Sequence, residues 1–289
     1  MIDPQLFLSV VIPAYQAEAT IGGAVESVVS ALSTTANSEI IVVNDGSADD
    51  TQWILRKLQK RFDCLRIFNI QNRGVSFARN YGASKALGKY VSFLDADDVY
   101  VKEFGFGFIP FIKNNPDADF LTASYRINGL DVYKKPSTVS DFQYFLQRQY
   151  FCTNSIVVKR DILLRHQFRE NFAFGEDVDL WLRLLKLYKS AHYNCVVSEY
   201  RFQPKIHDSR IHPFPFLSAK ELSFTDSEAS AVKKRFESRN LMISCVKREI
   251  TAFKLIKLKS PIFLFYYVFG ENGYKIVWNI RHFLRRLGL

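Results

Sequence analysis

The sequence of 289 residues has little of what marks secreted, zinc-finger or membrane-spanning proteins. Its four cysteines, Cys64, Cys152, Cys195 and Cys245, are far apart and form no C-x-x-C pair. They therefore indicate neither a disulfide framework nor a zinc site, and they favour a reducing compartment. The longest apolar run, residues 261–269, falls well short of the ~20 residues that a spanning helix needs. Because the first residues also lack the basic and apolar regions of a signal peptide, we expect a cytoplasmic protein.

Most of the chain carries no excess of positive or negative charge. The formal net charge is +10, from 39 Lys and Arg against 29 Asp and Glu. Residues 233–289 carry 13 of those bases but three acids, so that the first 230 residues are balanced. A nucleic-acid-binding body would carry a basic face of its own, so we expect no nucleic acid partner. The 48% apolar and 15% aromatic content exclude a disordered chain.

Apolar runs alternate with helical patterns over the first hundred residues. Strands are predicted at 8–13, 39–44, 65–70 and 90–94, and helices at 21–32, 50–62 and 75–87. This order predicts an α/β fold with a mostly parallel central sheet flanked by helices. Farther along, helices are predicted at 101–114 and 176–188 and strands at 119–124, 155–159 and 193–197. After a proline-rich boundary, residues 227–258 and 273–287 predict basic amphipathic helices.

Polar residues follow the predicted strands at Pro13, Asp45 and Asp95 with Asp97. In sheets of this kind ligands bind beyond the carboxyl ends of the strands. Carboxylates two residues apart, as in Asp95-Ala96-Asp97, can reach one divalent cation, and oxygen ligands suit Mg²⁺ or Mn²⁺. The same turn in isolation is more often a solvated acidic loop or a helix cap.

Two further segments have both an ordinary and a functional interpretation. Glu176 and Asp177 begin a predicted helix, where acidic residues are favoured by the helix dipole but where a carboxylate can also act as a general base. Arg79 lies early in another predicted helix, where it can pair with a phosphate or remain an ordinary surface residue.

In combination, five segments resemble the family 2 glycosyltransferases of the GT-A fold. They are residues 9–15 (SVVIPAY), 43–47 (VNDGS), 74–82 (GVSFARNYG), 95–98 (DADD) and 176–177 (ED). The resemblance covers about residues 7–210. It implies a nucleotide-sugar-binding half at 1–100, an acceptor-binding half of the same domain at 101–215, and a basic amphipathic helical extension at 216–289.

The resemblance also implies roles for matching positions. Asp177 would be the catalytic base, with Glu176 beside it. Asp97 would bind Mn²⁺ or Mg²⁺ between the two phosphates, and His207 matches a late segment that closes over the metal, although it also fits an ordinary surface loop. The residues implied to bind the nucleotide sugar are Pro13, Ala14, Tyr15, Asp45, Arg79, Asp95, Ala96 and Asp97.

The implied activity is inverting, metal-dependent transfer of a sugar from a nucleotide-sugar donor to a glycan or lipid-linked acceptor. A UDP-sugar is favoured, while GDP and dTDP donors stay open. Bacterial surface polysaccharide (O-antigen, capsule or lipooligosaccharide) is the setting that the resemblance implies. The absence of Q-x-x-R-W and of spanning helices indicates a non-processive enzyme of the hexosyl- or N-acetylhexosaminyl-transferase class.

The loop at residues 14–20 argues against two other classes of nucleotide-binding enzyme. It lacks G-x-G-x-x-G, which argues against a dinucleotide dehydrogenase, and it lacks the Gly- and Arg-containing loop of a nucleotidyltransferase. A non-catalytic nucleotide-sugar-binding or scaffold protein of the same fold stays open. The basic segment 233–289 predicts peripheral contact with the anionic inner face of the cell membrane, or else packing on the body or on a second subunit.

Overall fold

A computed structural model describes residues 6–33, 37–131, 140–147, 150–172 and 175–201, together with Thr225 and Ser230. The chain divides into two compact units, Met1–Phe202 and Gln203–Leu289, and the elements below belong to the first. His207 and the predicted helices of the basic extension, apart from Ser230, lie outside the described residues. The division into halves at residue 100 stays a prediction.

The described residues form a mixed α/β structure, with nine strands in one sheet. The strands are β1 Leu8–Ala14, β2 Ser38–Asp45, β3 Leu65–Ile70, β4 Tyr90–Phe93, β5 Val99–Tyr100, β6 Phe120–Ile127, β7 Leu130–Asp131, β8 Ile156–Lys159 and β9 Ser190–Tyr200. The α-helices are α1 Ile21–Leu32, α2 Thr51–Gln59, α3 Val75–Lys85, α4 Ile109–Asn114, α5 Asp141–Gln147, α6 Arg160–Arg165 and α7 Glu176–Leu187. Within the described ranges, no helix combines the length and apolar character needed to cross a membrane.

The strand order is β3-β2-β1-β4-β8-β6-β9-β5, with β7 paired to β6. The first four strands are parallel, as the sequence predicts. Beyond β4 the sheet is mixed, because β8 runs antiparallel to both β4 and β6. The chain reverses its direction of growth between β1 and β4, which places a topological switch point, the usual ligand crevice of such sheets, at their carboxyl ends.

The first strand is one residue longer than predicted, because Pro13 does not end it. All seven residues of β1 are buried. It pairs with β4 only as far as Val11, whereas its pairing with β2 continues to Ala14. Since the backbone of Val11 faces β4, that of Pro13 faces the same side, where no strand follows. The missing N–H of Pro13 therefore leaves no ladder acceptor unpaired.

Other boundaries differ from the predictions for local reasons. The third helix ends at Lys85 rather than at residue 87, because Ala86 is extended and the backbone N–H of Leu87 donates to the buried Glu39 carboxylate. The predicted helix at 101–114 begins with a π-helical turn, Phe104–Phe108, before α4. The short elements β5, β7, α5 and α6 carry too few residues to show a periodic pattern, and the sequence analysis missed them.

A buried carboxylate fixes the amino-terminal edge of the parallel strands, opposite the switch point. Glu39, at the start of β2, accepts hydrogen bonds from Ser9 Oγ at 2.7 Å and from Leu87 N at 2.7 Å. Arg66 of β3 pairs with the same carboxylate at 2.5 Å. These contacts fix the register of the strands whose other ends form the candidate site.

Candidate active site

The predicted site residues come together at the carboxyl edge of the parallel strands and the start of α7. Ala14 ends β1 and Asp45 ends β2. Asp95 lies two residues after the end of β4. Glu176 and Asp177 occupy the first turn of α7. Gly175 precedes them at φ 79°, a left-handed conformation that favours glycine, and this residue directs the start of α7.

Arg79 connects the two groups of carboxylates. Its side chain, on α3, is 5% exposed. One terminal nitrogen lies 2.7 Å from Asp95 Oδ1, and the other lies 2.9 Å from Glu176 Oε1. The rigid fork of the guanidinium therefore joins the turn after β4 to the start of α7, which lie 81 residues apart in the chain.

The electrostatics of this bridge favour its charged form. Burial would lower the pKa of Arg79, but the carboxylates of Asp95 and Glu176 outweigh it and raise the pKa above the ordinary value. Burial, followed by repulsion from Asp177, raises the pKa of Glu176, and Arg79 opposes that change. The guanidinium therefore offsets the cost of bringing negative charge into a partly buried crevice.

The acidic turn after β4 contains both a buried and an exposed carboxylate. Asp97 is exposed, whereas Asp98 is 1% exposed. Asp98 Oδ1 accepts the backbone N–H of Arg201 at 2.6 Å. Burial, together with repulsion from Asp95, raises the pKa of Asp98 to about 8. Burial and the neighbouring acidic residues therefore disfavour the charged form of Asp98.

Sequence analysis missed two residues that contact these carboxylates, Thr153 and Asn154. They lie in a 3₁₀ turn, Thr153–Ser155, immediately before β8. Asn154 Oδ1 accepts the backbone N–H of Asp95 at 2.8 Å, and its amide nitrogen donates to Asp98. Thr153 Oγ1 donates to Asp177 Oδ2 at 3.3 Å. A short polar run before a strand was the only sequence signal for this turn, and it matches no motif.

Asp45 is held by the loop that precedes α3. Its two carboxylate oxygens accept the backbone N–H groups of Arg73 and Gly74, each at 2.8 Å. Gly74 adopts φ 90°, which is open to glycine and strained for other residues. Asp45, which is 3% exposed, is therefore held in place at the carboxyl end of β2. Its predicted hydrogen bond to a nucleotide base stays a prediction.

Two neighbouring loops lock together beside Tyr15, which is 55% exposed at the end of β1. Gln16 Oε1 accepts the backbone N–H of Ala48 at 2.8 Å, while Gln16 N donates to Ser47 Oγ at 3.0 Å. Glu18 N donates to Asp49 at 3.0 Å in the same way. Exposed Tyr15 therefore stands on a braced loop, and its contact with a nucleotide base stays a prediction. These polar contacts were not predicted, since they join residues about 30 positions apart.

The residues present fit a divalent cation that is shared with a ligand. No group of three or more His, Cys, Asp or Glu side chains among the described residues could hold a metal by itself. The turn supplies hard carboxylate oxygens at Asp95 and Asp97, and Mg²⁺ is usually bound through one or two carboxylates plus substrate phosphates. Such a cation would also offset the repulsion that raises the pKa of Asp98.

The structure thus gathers Pro13, Ala14, Asp45, Arg79, Asp95, Ala96, Asp97, Glu176 and Asp177 around one crevice edge, with Tyr15 at its rim. The direct contacts differ from the predicted ones in one respect. Arg79 binds two carboxylates of the protein, so a contact between Arg79 and a phosphate stays a prediction. His207, the second predicted metal ligand, lies outside the described residues.

Two known bacterial proteins are similar to this chain in sequence. GgaB of Bacillus subtilis (strain 168), a minor teichoic acid biosynthesis protein, is 28% identical over 289 aligned residues, which cover 93% of this chain and 29% of that protein. WfgD of Escherichia coli, a UDP-Glc:alpha-D-GlcNAc-diphosphoundecaprenol beta-1,3-glucosyltransferase, is 30% identical over 199 residues, covering 67% of this chain and 76% of that protein. The chain therefore spans less than a third of the length of GgaB.

Solved structures share the fold. The mannosyltransferase PcManGT from Pyrobaculum calidifontis, in complex with GDP-Man and Mn²⁺, has a TM-score of 0.58 and 15% sequence identity, covering 93% of this chain and 84% of that one. This likeness shows the GT-A fold that the sequence predicted. The family model described as Glycosyl transferase family 2 matches residues 9–170, which is more than half of the chain. The chain therefore belongs to glycosyl transferase family 2.

Proposed function

We propose that this chain is an inverting, metal-dependent, non-processive glycosyltransferase. The observation that carries the proposal is the Arg79 bridge, which holds the donor-side carboxylate of Asp95 and the start of α7 within hydrogen-bonding distance of one guanidinium. A sugar donor at the acidic turn would therefore lie beside the carboxylate of Asp177. This is the arrangement that direct transfer between a leaving phosphate and an incoming hydroxyl requires.

Asp177 is the proposed general base. An acceptor hydroxyl is a poor nucleophile at neutral pH, so a positioned carboxylate must take its proton as the new glycosidic bond forms. The carboxylate of Asp177 is held by its contacts with Thr153 Oγ1 and with the backbone N–H of Val178, the latter at 2.7 Å. In-line attack opposite the leaving diphosphate inverts the anomeric centre.

The acidic turn holds the donor diphosphate in this proposal. Asp97 would hold Mn²⁺ or Mg²⁺, which supplies Lewis-acid stabilisation of the leaving phosphate charge. Asp95, fixed by Arg79, would face the ribose of the donor. Tyr15, Asp45 and the braced loops beside them would receive the nucleotide base.

Relatives support a surface-polysaccharide setting. WfgD is named for transfer of glucose from UDP-Glc to a diphosphoundecaprenol-linked GlcNAc, and GgaB for minor teichoic acid biosynthesis. We therefore propose a UDP-sugar donor and a glycan or lipid-linked acceptor for this chain. A non-catalytic sugar-nucleotide-binding protein is the second candidate, but such a protein has no need of Asp177 and of its hydrogen bond from Thr153.

The basic segment 233–289 is proposed to hold the enzyme against an anionic membrane surface. Its 13 bases against three acids account for the whole net charge, and a lipid-linked acceptor would be presented at that surface. The segment lies outside the described residues, so the proposal rests on its composition.

Asp177→Asn tests the general base. We expect turnover with UDP-glucose and a synthetic GlcNAc-diphospho-lipid acceptor to fall ~10²-fold or more, because the amide cannot accept the proton. Calorimetric affinity for UDP should stay unchanged, since Asp177 is not a donor ligand. Asp161→Asn, an exposed aspartate paired to Arg165 on α6, is the matched control and should behave as the wild type. Turnover within threefold of wild type in Asp177→Asn would contradict the assignment.

Asp97→Asn tests the metal. We expect Mn²⁺ to strengthen UDP binding to the wild-type protein by about tenfold or more over binding in EDTA, the scale of one Lewis-acid contact. The variant should lose that gain because it loses a charged oxygen ligand. Asp117→Asn, at an 85% exposed aspartate side chain, is the control. An undiminished Mn²⁺ effect in Asp97→Asn would exclude this residue as the ligand.

Vesicle binding tests the basic segment. The full chain should sediment with phosphatidylglycerol vesicles at low salt and not with phosphatidylcholine vesicles, because each Lys or Arg near an anionic surface contributes ~1 kcal/mol. Salt of about 0.5 M should release the protein, as screening shortens the reach of these charges. Failure to bind anionic vesicles at low salt would instead assign the segment to packing on the body or on a second subunit.

A further inference from the structure

We propose that Thr153 and Asn154 form a positioning pair that holds the catalytic base and the donor-binding turn in one fixed geometry. The inference rests on the proposed function. The inference adds two positioning residues to that function. Asn154 affects donor binding, and Thr153 affects turnover.

Asn154 anchors both ends of the acidic turn. It is 1% exposed, so its amide makes these contacts away from bulk water. Its oxygen accepts the N–H of Asp95 at 2.8 Å, and its nitrogen donates to the Asp98 side chain. The turn itself is closed by a 3.1 Å hydrogen bond from Asp98 N to Asp95 O. Asp97, between these anchors, is therefore presented to solvent by a turn that cannot shift without breaking buried hydrogen bonds.

Thr153 contacts the proposed general base, Asp177. It is 4% exposed, and its hydroxyl donates to Asp177 Oδ2 at 3.3 Å. Asp177 Oδ1 accepts the backbone N–H of the next residue, Val178, so that the two oxygens are held by different partners. The hydroxyl of Thr153 thereby fixes the rotation of the carboxylate that would receive the acceptor proton.

The turn that carries the pair is rigid. Ser155, which is fully buried, accepts the N–H of Cys152 at 3.0 Å and returns a hydrogen bond to the Cys152 carbonyl at 3.1 Å. The next residue, Ile156, begins β8, and its carbonyl accepts the hydroxyl of Ser92 on β4 at 2.5 Å. The pair is therefore built on the strand next to the one that ends in the acidic turn. Hydrogen-bonded support of this kind is what holds a site within a fraction of an ångström of its working geometry.

An exchange of side chains tests Asn154. Asn154→Asp removes the amide hydrogen that Asn154 donates to Asp98, so the turn should loosen and the KM for UDP-glucose should rise about tenfold. The double variant Asn154→Asp with Asp98→Asn restores all three hydrogen bonds, and only the bond between positions 154 and 98 reverses its direction. An oxygen at 154 still accepts from Asp95 N, an amide at 98 donates to 154, and its oxygen accepts from Arg201 N. We expect the double variant to regain a KM within threefold of wild type.

A conservative series tests Thr153. Thr153→Val keeps the shape and removes the hydroxyl, so kcat should fall about tenfold while the KM for UDP-glucose stays within twofold. Thr153→Ser keeps the hydroxyl and should retain kcat within twofold. Thr122→Val is the matched control, since this buried threonine bonds to His192 at 2.8 Å and contacts none of the site carboxylates in the described structure. It should lower the melting temperature without changing kcat or KM.

Several results would overturn the inference. For Thr153, these are a wild-type kcat in Thr153→Val, or an equal loss of kcat in Thr153→Val and Thr153→Ser. For Asn154, it is a double variant that melts at the same temperature as Asn154→Asp and does not recover its KM. Thr153→Ala gives the same test as Thr153→Val by a smaller side chain. Asp177→Asn is assayed beside them. Full activity in Asp177→Asn would refute the proposed function, whereas its inactivity with unaffected Thr153 and Asn154 variants would refute the positioning pair alone.

Discussion

The buried guanidinium of Arg79 is the interaction on which the candidate site depends. Without it, the carboxylates of Asp95 and Glu176 would face each other unpaired, and repulsion would favour separation of the turn after β4 from the start of α7. With it, the acidic turn after β4 and the first turn of α7 lie side by side. Burial, together with repulsion from Asp95, still raises the pKa of the neighbouring Asp98 in spite of this pairing.

The rest of the fold brings Arg79 and its partners to that position. Parallel pairing of the first four strands aligns the ends of β1, β2 and β4 at one edge. The Glu39 network fixes the register of these strands from the opposite edge. Antiparallel β8 then brings the turn with Thr153 and Asn154 beside the acidic turn. Both edges use buried charged groups, and in each case the charge is paired and hydrogen-bonded, as burial requires.

The sequence predicted those parts of the structure that depend on local pattern. The apolar runs located all four parallel strands, with β3 placed to the residue, and the helical spacing located α1 to the residue. The motifs located the carboxylates of the crevice because these lie at strand and helix ends. Contacts between distant residues leave no such pattern. The hydrogen bonds of Asn154 cross about 60 positions, and the Arg79–Glu176 pair crosses 97, so neither was predicted. The predicted end of β1 at Pro13 was wrong, because the proline is tolerated within β1 where the β4 pairing has already ended and the β2 pairing continues.

One guanidinium links the acidic turn after β4 to the start of α7, and Arg79→Lys tests the importance of this link most directly. A lysine keeps the charge, but its single ammonium cannot reproduce the fork that reaches both carboxylates. We predict that transfer from UDP-glucose falls at least about tenfold in a variant that remains folded, while Arg165→Lys, at an exposed pair on α6, changes nothing. Wild-type transfer by Arg79→Lys would contradict the account.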